Sequence, residues 1–422
     1  MLANPQILKI STSYEFGLLS KEWNSLLRRS KADTIFLSFE WISSWINNYL
    51  KNDQLYVLIV KHNHRTVGIA PLYIHFEKHF GVKITVLRFL GDHSVGSIYL
   101  DFIIEKGLED VVLEKLYQYL GTHKKEYNLI QLKEISSTSN LKEQLQKMAE
   151  KSNFRISYDF KTCSRVMLPT TWEEYLKRYK RNHRRAFRIK RRKLAKDHEF
   201  SFYQAKIQTN THDILRTLFT LHQKRWVHRG RPGTFSDICK RNFYFQFVQS
   251  VKDLNWIRVY CLEVEGQIIA IHFGLFYDNR LLNLQEGFDP DWMKFGASNV
   301  LRGLVIEELI SEGVDSYEFL RGKSYHKRSW KAVESKTDHL TFYQWSDLKS
   351  LVYIFYSTLK RLAKRNIPTT QMNRIRSKQE AKQTARISKS KDQYLNLDQL
   401  YTEIPEKKDP RIPEDQLEDV GT

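Results

Sequence analysis

"LNLQEGFDPDWMKFGASNVLRGLVIEELISEGVDSYEFLRGKSYHKRSW", residues 282–330, decides the fold. A strand runs to Gly287, and a loop ends in Gly296-Ala297-Ser298. From Asn299 onward Val300, Leu301, Leu304, Val305, Leu309 and Ile310 recur at helical spacing. Gly313 stops that helix and a further strand leads to Gly322. Small residues at a helix opening let bare N–H groups approach an anion, which the helix dipole also favours. Gly296, Ala297, Ser298 and Asn299 are therefore candidates for holding the phosphates of a donor, with Lys294 adding charge.

Upstream, "IRVYCLEVEGQIIAIHFGLFYDNRLLNLQEGF" (257–288) alternates as three strands joined by polar turns. "QLYVLIVKHNHRTVGIAPLYIHFE" (54–77) and "VKITVLRFL" (82–90) follow the same plan. Two helical patterns precede each meander, and a helix and a strand follow it. The order β-α-α-β-β-β-α-β thus occurs twice, which predicts two copies of one α/β domain with mixed, mostly antiparallel sheets flanked by helices. The expected organisation is a first domain over 1–160, a second over 161–345, a helix over 346–366 and a disordered tail over 367–422. The tail sequence has too few apolar residues to offset its ordering entropy.

"YLKRYKRNHRRAFRIKRRKL" (175–194) carries eleven Lys or Arg residues and no acidic one. Thr171 and Glu174 form a capping-box pattern ahead of it. Trp172, Leu176, Tyr179, His183, Ala186, Phe187 and Leu194 share one stripe at helical spacing. A basic helix over 171–195 is expected, docked by its apolar face at the entrance to the second domain. Arg181, Arg184 and Arg188 would then line the rim of a cleft and attract an anionic partner.

The chain has 422 residues, 41% of them hydrophobic, and a formal net charge of +20. That surplus suits phosphorylated ligands, nucleic acid or an anionic membrane face. Cys163, Cys239 and Cys261 lack metal-ligand spacing, so neither a metal site nor a disulfide framework is expected. No apolar run approaches the roughly 18 residues of a membrane span. A cytoplasmic protein, with peripheral contact to the inner face of the membrane, is the expectation.

"LHQKRWVHRGRPGTFSD" (221–237), "LQEGFDPDWMKFGASNVL" (284–301) and "YEFLRGKSYHKRSW" (317–330) resemble the acyltransferases of the CelD or BioF-type group in the Gcn5-related N-acetyltransferase (GNAT) superfamily. "FLSFEWISSWINNYL" (36–50) and "GIAPLYI" (68–74) are similar to the N-terminal half of that group. The group is itself similar to FemAB-type aminoacyl transferases, which carry two such domains in tandem. The resemblance implies a GNAT-like acyltransferase, with acetyl-CoA or another acyl-CoA as donor. Its acceptor would be an amine or hydroxyl of a sugar, a nucleotide-sugar or a polysaccharide precursor. Met293 and Ser298 depart from the strict acetyl-CoA signature and leave other acyl carriers open. Aminoacyl-tRNA, serving transfer to a peptidoglycan or lipid precursor, is one such alternative. A non-enzymatic nucleic-acid or anionic-membrane binder is the remaining one.

Acyl transfer needs a deprotonated nucleophile, a stabilised oxyanion and fixed geometry. Glu286, at a strand end, is the leading candidate for general base. His326 or Tyr325 would shuttle a proton or protonate the leaving thiolate. His222 and Arg225 are expected at the same cleft, with Arg225 gripping an anion. Lys327 and Trp330 would clamp a sugar or phosphate. In the first copy Tyr99 and Asp101 interrupt the step from strand to helix, so the first domain is expected to shape the acceptor cleft, with Asp101 as an acceptor ligand.

Overall fold

In the computed structural model, which describes residues 5–92, 95–150, 154–322 and 325–366, both alternating segments fold as antiparallel meanders. The strands are β1 (Gln6–Ile10), β2 (Gln54–His62), β3 (Arg65–His79), β4 (Val82–Phe89), β5 (Ile103–Ile104), β6 (Leu129–Ser136) and β7 (Phe154–Met167), followed by β8 (Phe200–Ala205), β9 (Ile257–Val264), β10 (Gln267–Tyr277), β11 (Arg280–Phe288), β12 (Ser316–Arg321) and β13 (Val333–Gln344). They form one sheet in the order β1-β2-β3-β4-β6-β13-β7-β12-β11-β10-β9-β8, with β5 on β3. β1 and β8 stand where the repeated order expected a leading strand, whereas β5, β7 and β13 were not legible in the sequence. Within 5–229 and 233–366 the described residues make one compact unit.

Each half repeats one arrangement. β2, β3 and β4 are antiparallel; the helix Glu109–Thr122 then returns the chain to β6, which lies parallel to β4. β9, β10 and β11 are antiparallel; the helix Ala297–Ser311 returns it to β12, parallel to β11. β11 pairs with β12 only from Arg280–Ser316 to Leu282–Glu318, although both strands continue. The unpaired continuations open a wedge beside the start of the helix Ala297–Ser311.

The halves join through β7 and β13, which pair from Phe154–Gln344 to Arg165–Val333 and are flanked by β12 and β6. Beyond the sheet, Trp41 of the helix Phe39–Trp45 packs edge-on against Phe243 and Phe247 of the helix Ile238–Val251, with centroids at 4.9 and 4.8 Å. Such aromatic contacts make the core continuous across both halves.

The basic stretch is not one helix. It folds as Trp172–Lys177 and Arg181–Asp197, broken between Arg178 and Lys180. Lys180 is extended (ψ 152°), and Tyr179 turns its hydroxyl to Tyr175 at 2.8 Å. Thr171 caps the first piece by accepting from the Glu174 N–H at 3.2 Å, while the Glu174 carboxylate takes the Thr170 hydroxyl at 3.1 Å. Of the expected stripe Leu194 is buried and Trp172, Leu176 and Tyr179 are half-buried, while Tyr175, outside the stripe as read, is buried. The side chains of His183, Ala186 and Phe187, and the tail 367–422, lie outside the described residues.

Candidate active site

The loop ahead of the helix Ala297–Ser311 is built by local chemistry. Asp289 accepts the Asp291 N–H at 3.2 Å and anchors a short 3-10 turn, Pro290–Phe295. Gly296 then takes φ 70°, a left-handed conformation that glycine adopts without strain. Its carbonyl accepts the N–H of Asn299 at 2.8 Å and of Val300 at 3.0 Å. Asn299 therefore spends on the loop the N–H expected to face a ligand. Helix geometry leaves the N–H groups of Ala297 and Ser298 without intrahelical acceptors.

Positive charge gathers there. A Cβ on Gly296 would stand 3.0 Å from Lys190 Cδ and 3.5 Å from Lys190 Nζ. Lys193 and Lys294 place their ammonium groups 5.4 and 5.0 Å from the Phe295 ring centroid. The helix Arg181–Asp197 is held to this position by buried Leu194 and by the Arg191–Glu307 ion pair at 2.9 Å. Arg181 and Arg188 on the same helix are exposed and Arg184 is half-buried.

A polar network lies where β11 and β12 part. Arg302, 3% exposed, donates from Nη2 to Glu286 Oε2 and from Nε to Glu286 Oε1 at 3.0 Å. Asn283 gives its side-chain amide to Glu286 at 2.7 Å and to the Tyr317 hydroxyl at 2.8 Å. Buried His272, opposite Glu286 on β10, has Nε2 2.9 Å from that hydroxyl. Burial alone would raise the Glu286 pKa. Arg302 first, then His272 and Arg225, overcome it and hold the carboxyl well below its usual range. Glu286 is thus an ion-paired carboxylate rather than the free base its position suggested.

Arg302 Nη1 also donates to His326 Nε2 at 2.8 Å, and the Asn299 amide oxygen lies 3.3 Å from that nitrogen. Burial, then the neighbouring Arg302, lowers the His326 pKa to about 4, so the imidazole is neutral at pH 7. The side chain of Tyr325 lies outside the described residues.

Other expected site residues make contacts within the protein. His222 is buried; its Nε2 accepts the Trp226 indole N–H at 2.9 Å, and burial lowers its pKa to about 3. A Cβ on Gly287 would come within 2.6 Å of the His222 backbone nitrogen, so the helix Thr211–Val227 crosses β11 on a glycine. Arg225 reaches the Glu286 carbonyl oxygen at 3.4 Å and lies over the Phe288 ring at 5.3 Å. Lys327 does not reach out to a ligand: its ammonium donates to the carbonyls of Phe319, Leu320 and Arg321 at 2.9, 3.3 and 2.6 Å. Trp330 is core, with the Arg302 guanidinium 5.4 Å from its ring centroid. Asp101 lies away from this network, in a cavity on the other face of the sheet.

Arg302, His272, Tyr317 and Asn283 were missed from the sequence. Arg302 fell outside the apolar stripe read for its helix. The helix is in fact buried continuously from Val300 to Ile306, which puts Arg302 inside. The usable signal was a charged residue among uniformly apolar neighbours.

Residues 181–328 match the family model described as an acetyltransferase (GNAT) domain. No curated protein matches the chain. The crystal structure of FemX superposes with a TM-score of 0.55 at 8% identity, covering 83% of this chain and 99% of that one. The C-terminal domain (DUF2156) of a putative lysylphosphatidylglycerol synthetase from Agrobacterium fabrum gives 0.48 at 12% identity, with 82% and 97% covered. A tandem GNAT protein from the clavulanic acid biosynthesis pathway gives 0.42 at 9% identity, with 80% and 98% covered. The FemX likeness is one of fold. The small-residue loop, the helix it opens and the Glu286–Arg302 pair all fall within the segment that matches the acetyltransferase (GNAT) domain model, and that match makes the chain an acyltransferase.

Proposed function

We propose that the protein transfers an acyl group from coenzyme A to an amine or hydroxyl of a sugar, a nucleotide-sugar or a polysaccharide precursor. The observation that carries the donor assignment is the cluster of Lys190, Lys193 and Lys294 around a helix start whose Ala297 and Ser298 N–H groups face outward from the ladder. Diphosphate oxygens need such donors and such charge. The thioester would lie in the wedge between β11 and β12, near the Glu286–Arg302–His326 network.

In this reading Glu286 is a positioning group. It fixes Arg302, and Arg302 fixes the neutral His326 through Nε2. His326 then relays the proton of the attacking amine or hydroxyl to the departing thiolate as the new bond forms and the carbon–sulfur bond breaks. Release of its Nε2 from Arg302 accompanies that step. The acceptor class rests on the resemblance to the CelD or BioF-type group.

The second reading keeps the site and changes the donor to aminoacyl-tRNA, with a peptidoglycan or lipid precursor as acceptor. The basic surface of the helix Arg181–Asp197 favours it, since that surface suits a polyanion. Radiolabelled acetyl-CoA offered with amino sugars and nucleotide amino sugars tests the first reading; labelled aminoacyl-tRNA tests the second. Label transfer from acetyl-CoA supports the first, and transfer only from tRNA replaces it.

Peripheral membrane contact is part of the proposal. The last described helix, Leu348–Asn366, exposes Leu348, Phe355, Leu359 and Leu362 along one stripe beside exposed Phe80, whose ring lies 6.3 Å from that of Phe355. Lys349, Lys360 and Arg361 are on the same helix. An apolar stripe with basic residues suits the surface of an anionic bilayer.

A further inference from the structure

A cavity of about 200 Å³ lies between the two halves, lined by Asp33, Tyr99 and Asp101 from the first and by Arg165, Arg280 and Glu318 from the second. It is many times larger than the roughly 10–15 Å³ that admits one water on this measure. It is separate from the transfer centre. Glu318 pairs with Leu282, and Glu286 lies four residues further along β11, about 13 Å away at the rise of a strand. Tyr317 points to Glu286, so its neighbour Glu318 points to the opposite face.

Two residues that line the cavity carry buried atoms with unmet hydrogen-bonding capacity. Glu318 is 1% exposed; its Oε2 accepts the Tyr99 hydroxyl at 3.0 Å, but its Oε1 has no hydrogen-bond partner. The Arg165 guanidinium stands 3.8 Å from Oε1, an ion pair too long for a hydrogen bond. Arg280 gives Nη2 to Asp278 at 2.9 Å, and its buried Nε has no acceptor. Asp33, by contrast, is engaged by the Tyr277 hydroxyl at 2.6 Å. Buried polar atoms are normally satisfied, so an orphan acceptor and an orphan donor on residues lining one cavity call for a ligand that supplies both.

We propose that this cavity is a second ligand site and that its ligand is a small zwitterion, a free α-amino acid, with the ammonium on Glu318 Oε1 and the carboxylate on Arg280 Nε. A lone cation would leave Arg280 Nε unmet. A lone anion would face Glu318 and leave its Oε1 unmet. A zwitterion satisfies both charges at once. The proposal does not depend on the identity of the acyl donor or acceptor.

The test is calorimetric titration of the full chain with free L-amino acids, each beside its decarboxylated amine and its deaminated acid. At least one amino acid should bind saturably, and both controls at least tenfold more weakly. Glu318→Gln keeps the side-chain shape, and Arg280→Gln provides an independent arm; each should weaken the amino acid at least tenfold while circular dichroism is unchanged. If one variant fails to fold, the other decides. Absence of saturable binding by every amino acid, equal binding of the control amine, or unchanged affinity in a folded variant would overturn the proposal. Acyl transfer is read separately, so failure here leaves the acyltransferase assignment standing.

Discussion

The Glu286–Arg302 pair shows most clearly what one residue can and cannot disclose. Glu286 was legible as a site residue because it ends a strand beside a small-residue loop. Its role was not, because the partner sits sixteen residues away on another element. Breaking a buried pair leaves an uncompensated charge, which costs about 3–5 kcal/mol. Arg302→Met should therefore lower stability to chemical denaturation by about that amount, and adding Glu286→Gln should recover most of it. Additive losses in the double variant would contradict the pairing. Glu286 contributes stability above the unfolded carboxylate pKa of about 4.3, and that contribution is lost as pH falls through the depressed folded value. Asp101 has the opposite sign. Burial, opposed by the Ser139 hydroxyl and the Phe102 N–H, raises it to about 7, far above the unfolded value of about 3.9. Its contribution is present below about 3.9 and is lost as pH rises through about 7. Between pH 5 and pH 8 the wild type should lose stability relative to Asp101→Asn; a constant difference across that range would show that the carboxyl is not buried.

At the scale of elements, periodicity and caps placed most helices, but the break at Arg178–Lys180 was invisible because basic residues run straight across it. The apolar stripe was read as one helix face when two helices share it. What survives is the function proposed for the longer piece. If its cations draw an anionic donor toward Gly296, the attraction is screened over about 8 Å at physiological salt. KM for the donor should rise with ionic strength while kcat changes less. Arg181→Gln, Arg184→Gln and Arg188→Gln together should raise KM at low salt and flatten the remaining dependence. An unchanged KM with lost binding to mixed-sequence nucleic acid would assign the helix to a nucleic-acid partner instead. For the helix Leu348–Asn366, vesicle sedimentation provides the check. Anionic vesicles should retain roughly tenfold more protein than neutral ones, and Phe355→Ser with Leu359→Ser should remove the difference. Equal retention on both vesicles would exclude a bilayer as the partner of this stripe.

For the whole molecule, the duplicated order of strands and helices was legible because each meander alternates strongly. The joint between the copies was not. β7 and β13 lie far apart in sequence, and β7 is largely exposed along its first half, so neither its period nor its composition marks a central strand. The joint is pinned by Glu134 of β6, which accepts from the Thr337 hydroxyl at 2.9 Å and pairs with Arg321 at 2.8 Å and His339 at 2.9 Å. The two copies thereby form one sheet whose second half carries the loop, the basic helix and the Glu286–Arg302 network. The central claim is that an acyl donor with a diphosphate binds at that loop. Hydrogen–deuterium exchange of the full chain with and without coenzyme A tests it most directly. Protection should appear at residues 295–301 and in the facing part of the helix Arg181–Asp197, and Gly296→Val should abolish it. Saturable binding with protection confined to the first half, around residues 82–122, would contradict the account.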